Sequence, residues 1–225
     1  PSTSEATPDM NPIPARASSG PSRSHWTLVV LAALAMVGTL PGRSQGLGLI
    51  TEPMLAELRL DRVRYSEINL WTSLAGSLFA LGFGRLFDRW GLWTVSLVMG
   101  ALGLVVLGIA GSSGIPGLVF GLWLTRGLGQ SALSAGSLTL AGIAARNRSP
   151  SVMAIYSILL SVGFMIAFPV VGAVVGSAGW RPAWAMVGIG LLVLAVVSFG
   201  ILRRSHGPDG NSGPALTSTD PDFTL

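Results

Sequence analysis

The sequence predicts an all-α integral membrane protein, a six-helix bundle built as two inverted three-helix repeats. Three observations carry that expectation. Half of the 225 residues are hydrophobic and 11% are charged, with a mean hydropathy of +0.62, whereas a soluble domain carries roughly 25% charged residues. The few charges cluster and leave long stretches with none. Finally, a glycine pattern recurs at the ends of two apolar runs that face opposite sides of the bilayer.

Composition also excludes. All fourteen basic residues are arginine, and the pI is near 11.0. Nucleic-acid binding needs a basic face on a polar surface, and here the arginines stand singly or in pairs between apolar runs. There is no cysteine, which removes disulfides and thiolate metal sites. His25 and His206 both lie outside the apolar runs. An intramembrane hydrolase would want a histidine or paired carboxylates within the bundle, so neither an enzyme, a metal nor a cofactor is expected.

A crossing helix needs about 20 mostly apolar residues, because the hydrocarbon core is ~30 Å thick at 1.5 Å per residue. Residues 1–24, rich in Pro, Ser, Thr and Ala, read as a disordered tail on the cytoplasmic side. The first apolar run, 26–40, meets a break at Pro41-Gly42. It reads as one long broken helix that continues through Gly46 to about Leu58; the rival is a signal peptide, without a small-residue cleavage site after it. The second span is 68–84, between Glu67 and Arg85, and the third is 92–111. The fourth, 117–144, is interrupted only by Arg126. An uncharged stretch of 32 residues, 149–180, holds the fifth. The sixth is 182–202, stopped by Arg203-Arg204, and 205–225 read as a disordered cytoplasmic segment.

With the N-terminus inside, eight arginines fall in cytoplasmic segments and four in outer ones, so both termini are expected in the cytoplasm. The small-residue pairs Gly117/Gly121 and Gly172/Gly176, with the run 131–136, predict close helix packing in lipid. The second span ends with Gly84 and Gly91 and is followed by Trp93. The fifth ends with Gly172 and Gly179 and is followed by Trp180. These are matching places in a three-plus-three arrangement, as in inverted repeats of secondary transporters.

The segment Gly84-x-Leu86-x-Asp88-Arg89-x-Gly91 resembles the signature loop of the major facilitator superfamily, G-x-L-a-D-r-x-G-r-k. Leu92 and Trp93 stand where the family has a basic pair. Arg126 before Gly127-Leu-Gly129-Gln130 resembles a second motif of that family, and Gly179-Trp180-Arg181-Pro182 is also typical. The likeness spans about residues 25–204 and implies the N-terminal half of a twelve-helix fold, nearest locally to the oxalate/formate antiporter and monocarboxylate transporter-like branch. It implies alternating-access transport of a small solute in the cell (inner) membrane. It also makes Gly84, Asp88, Arg89 and Gly91 a conformational gate that latches the two halves. Without the resemblance, Asp88 and Arg89 read equally as a solvated pair, with Asp88 placed to cap or face a neighbouring helix N-terminus.

Two arginines are candidates for the solute. Arg126, about nine residues or ~14 Å into its span, is either a structural arginine bonded to backbone carbonyls or a cavity-lining charge. Arg43, beside the break, is either an outer-loop residue or part of a substrate site of the broken-helix kind. With Gln45 and Gln130, the two would give a cavity a positive field suited to a small organic anion. No carboxylate sits at mid-membrane, so either a proton relay through Asp or Glu lies in the missing half or the protein is an exchanger or facilitator. The expected partners are therefore the solute, the lipid bilayer and a missing C-terminal six-helix half. The alternative is a six-span membrane protein with no transport role, an assembly factor or structural component.

Overall fold

The computed structural model describes residues 23–146 and 150–205, and no strand occurs among them. The expected tail and terminal segment fall outside the described residues, apart from their innermost ends. The first helix already begins at Arg23, and the last runs to Ser205.

The first crossing is broken as expected. Helix α1 (Arg23–Val37) leads through a 3₁₀ turn (Leu40–Gly42) into α2 (Ser44–Leu58), and together they form one apolar span, Trp26–Leu58. Pro41 lacks an N–H and cannot continue an α-helical ladder. The turn re-satisfies the backbone with shorter-range bonds. Gly42 N donates to Thr39 O at 2.9 Å, Arg43 N to Leu40 O at 3.1 Å, and Leu47 N to Arg43 O at 3.0 Å. Lipid offers no alternative partner, so a break at membrane depth needs this repair.

The second crossing extends beyond the expected 68–84 at both ends. Helix α3 (Arg62–Ser77) starts where the Asp61 carboxylate accepts from Val63 N at 3.0 Å, an N-cap that satisfies an otherwise orphan donor. It bends by 40° into α4 (Phe79–Trp90). The motif expected in a loop is thus mostly helical, because nothing between Arg85 and Trp90 breaks the ladder. The turn comes only at Gly91.

Helix α5 (Trp93–Gly111) is the third crossing. The fourth is a continuous helical path: α6 (Ile115–Thr125), a π-helical stretch (Arg126–Leu133) and α7 (Ser134–Ala145). The fifth and sixth are α8 (Ser151–Ala178) and α9 (Trp180–Ser205). The first, third, fifth and sixth paths are each long and apolar enough to cross a membrane, and the bent α3–α4 pair makes another.

The bundle closes on glycines. At the α5–α9 crossing, a Cβ on Gly103 would lie 2.9 Å from Gly188 O, and one on Gly188 would lie 3.0 Å from Gly103 O. Gly121 faces Ile109 and Gly117 faces Ser112, so the first small-residue pair packs α6 against the end of α5. The second pair does not serve the bundle in this way. Gly176 has open space beside it, and Gly172 has only Leu49 at 3.9 Å. Helix α8 buries little of itself within the chain.

The repeated glycine pattern has a structural counterpart. Gly91 (φ 60, ψ −144) and Gly179 (φ 92, ψ 171) are the positive-φ glycines among the described residues. Each ends its helix with the same bond, Gly91 N to Phe87 O at 2.6 Å and Gly179 N to Val175 O at 3.1 Å. Backbone in that region is essentially reserved for glycine.

Candidate functional site

The broken first crossing meets the π-helical part of the fourth. A Cβ on Gly42 would lie 2.9 Å from Gln130 N and 3.0 Å from Gly129 Cα, so the two backbones touch with no side chain between them. The π stretch widens the helix by one residue, a feature often found at functional sites. It places Arg126, Gly129 and Gln130 around the break.

Arg126 is the hub of this junction. Its side chain is 2% exposed. Nη1 donates to Gly42 O at 3.0 Å, to Ser44 Oγ at 3.2 Å and to Gln130 Oε1 at 2.8 Å. Nη2 donates to Asn69 Oδ1 at 2.6 Å. The guanidinium therefore ties the first, second and fourth crossings together, which is how a buried charge is kept tolerable. Nε has no partner.

These bonds have a chemical consequence for the amides. Arginine only donates, so Gln130 and Asn69 must each present their carbonyl oxygen to it. Their NH₂ groups then point away from Arg126 as donors. Gln130 is exposed, Asn69 and Ser134 are half-buried, and Ser134, one turn after Gln130, donates its hydroxyl to Gln130 O.

Arg43 follows Gly42 directly and is half-buried. Its Nε donates to Thr39 Oγ1 at 2.6 Å and its Nη2 contacts Met36 Sδ at 2.9 Å. Thr39 is in turn fixed by donating to Met36 O at 2.6 Å. The guanidinium carbon lies 5.3 Å from the centroid of the Phe164 ring on α8, within cation–π range. The structure gives Arg43 no carboxylate partner among the described residues: the ion pairs there are Arg62–Glu52 and Arg181–Glu57. Gln45 is exposed in the first turn of α2 and takes none of the bonds to Arg126.

The sequence-predicted residues thus divide. Arg43, Arg126 and Gln130 converge on the break at Pro41-Gly42, with Gln45 two residues beyond Arg43. The gate residues Gly84, Asp88, Arg89 and Gly91 sit elsewhere, at the α4–α5 turn. Asp88 and Arg89 are exposed, and Gly84 has no atom within 4 Å of where a Cβ would stand. The N-cap of α5 is Leu92, which offers no side-chain acceptor, and Asp88 makes no ion pair among the described residues. The turn is instead fastened by Thr94 Oγ1, which donates to Leu86 O at 3.1 Å.

Sequence reasoning missed two features. Asn69 carried no motif, although a lone amide in an apolar span was a visible signal. Glu57 was also passed over. It accepts from Trp180 Nε1 at 2.6 Å and from Arg181 Nε at 2.8 Å, while Arg181 Nη1 donates to Ala110 O at 2.7 Å. The guanidinium stacks 4.6 Å from the Trp180 ring. This clamp binds the ends of α2, α5 and α9.

A family model, the Major Facilitator Superfamily, matches residues 31–221. No curated protein and no solved structure gives a match.

Proposed function

The chain belongs to the major facilitator superfamily, whose members transport solutes across membranes, and within that class we propose that it carries a small organic anion by alternating access. The observation that supports this most is Arg43: a half-buried cation with no carboxylate partner among the described residues, set at the helix break to which Arg126 also bonds, while Gln130 and Asn69 keep their donors turned away from Arg126. Arg126 is best read as a positioning residue, since both its terminal nitrogens, Nη1 and Nη2, donate to protein oxygens. The direct ligands in this reading are Arg43 and the amides of Gln130, Asn69 and Gln45, which together suit a carboxylate.

Exposed Ser44, Gln45 and Gln130 at membrane depth fit a water-filled cavity better than lipid. A second six-helix unit forming the opposite wall accounts for that cavity, with Gly84, Asp88, Arg89 and Gly91 as the contact that opens and closes on it. In this reading the α4–α5 turn and both termini are cytoplasmic, in the cell (inner) membrane.

The test is uptake of labelled mono- and dicarboxylates and of neutral sugars into cells expressing the full-length protein. Arg43→Gln should raise KM for the transported carboxylate about tenfold or more, the loss of one charge-assisted bond. Arg126→Gln should lower the maximal rate as well. Unchanged carboxylate affinity in Arg43→Gln, or transport of sugars alone, sinks the anion reading.

A further inference from the structure

Away from the Arg43–Arg126 junction, an apolar groove of about 410 Å³ runs between α5 and α9. Its walls include Trp90, Trp93, Leu192 and Phe199. Trp93 and Phe199 meet edge to face at 4.7 Å and so fasten the two helices at its end. Three properties distinguish it from an ordinary lipid-facing crevice. Ser96 lines it, is 4% exposed, and its hydroxyl has no hydrogen-bond partner; a buried hydroxyl without a partner is costly. Two tryptophans stand at one end, the usual position of these side chains at the membrane–water boundary. Two exposed arginines continue past that end. Arg89 adjoins Trp90, and Arg203 is one helical turn beyond Phe199 on the same stripe of α9. Neither has an ion-pair partner among the described residues.

We propose that this groove is a binding site for one anionic phospholipid. The order of groups along the groove matches the order of groups in such a lipid. Arg89 and Arg203 sit at the depth of the phosphate, where arginine attracts anionic headgroups. Ser96 is three residues past Trp93, about 4.5 Å deeper along the helix, in the interfacial layer just outside the hydrocarbon core. Rotation about its χ1 between staggered positions offers the hydroxyl to an ester carbonyl. Leu97, Gly100, Ala195 and Val196 then line the path of an acyl chain. Gly100 adds no side chain to that wall, where a Cβ would stand in ordinary contact with the Ala195 Cβ at 3.6 Å.

The experiment is native mass spectrometry of the detergent-solubilised full chain, equilibrated with palmitoyl-oleoyl phosphatidylglycerol or with the matching phosphatidylcholine. The wild type should retain one phosphatidylglycerol, at least about fivefold more than phosphatidylcholine. Val196→Trp fills the groove from a position that is 72% exposed, so folding is unaffected, and retention of both lipids should fall to background. Arg203→Gln should remove most of the preference while phosphatidylcholine retention stays the same. Ser96→Ala should weaken both lipids about equally, since both carry ester carbonyls. Equal retention of the two lipids by the wild type, or undiminished phosphatidylglycerol in Val196→Trp, overturns the proposal.

Discussion

The turns after α4 and after α8 are the same device put to different uses. Each ends on a glycine with positive φ whose N–H donates to the carbonyl four residues back, and a tryptophan follows closely. The charges differ. At the α8–α9 turn, Arg181 and Trp180 close on Glu57 and Ala110 O, so polar groups are consumed within the bundle. At the α4–α5 turn, Asp88 and Arg89 face outward without an ion pair among the described residues. A repeated backbone thus leaves open whether a turn becomes an internal joint or a surface for something else. Side-chain chemistry decides that.

Three measurements test how far the likeness goes. The largest effect should come from the shared backbone. Gly91→Ala and Gly179→Ala each place a Cβ in a conformation that costs about 1–3 kcal/mol, and both should lower the thermal midpoint in detergent by similar amounts. A loss at one site alone would break the equivalence. Second, Glu57→Ala should lower the midpoint by removing the acceptor shared by Trp180 and Arg181. Asp88→Ala should leave it unchanged within about 0.5 kcal/mol while slowing uptake; destabilisation by Asp88→Ala would mean that both turns are internal joints. The smallest effect is ionic. Glu57 and Arg181 are partly exposed, at 44% and 30% of their side chains. Salt near 1 M, where screening acts within about 3 Å, should therefore narrow the gap between wild type and Glu57→Ala without touching Asp88→Ala.

Much of this architecture was legible because membrane spans are written in local composition. Six apolar runs became six helical paths, five of them long and apolar enough to cross when the bent α3–α4 pair counts as one, and Pro41-Gly42 announced the break because proline cannot donate. The glycine spacing marked both span ends, and the second glycine of each pair, Gly91 and Gly179, holds a positive φ there. Long-range pairing was not legible: Glu57 and Arg181 are 124 positions apart, and nothing in either neighbourhood names the other. The π stretch was hidden for a different reason. Gly127, Gly129, Ser131 and Ala132 put small residues at half of its positions, which permits a widened helix without demanding one. Arg126 was visible as a buried charge, yet its four acceptors belong to three crossings, so its role as an organiser rather than a free cation emerged only from their meeting.

The bare backbone contact between Gly42 and Gly129 has a mechanical meaning. Interlocked side chains resist tilting, because each must leave its socket before the helices can turn. Two glycines touching at a point present no such teeth, and they act as a fulcrum with a helical lever on either side. Helix α2 extends 15 residues from it, about 22 Å, so a tilt of about 10° at the fulcrum displaces the far end by about 4 Å. Bulk at position 42 or 129 would jam the lever by pushing the two backbones apart, since a Cβ on Gly42 would stand 3.0 Å from Gly129 Cα.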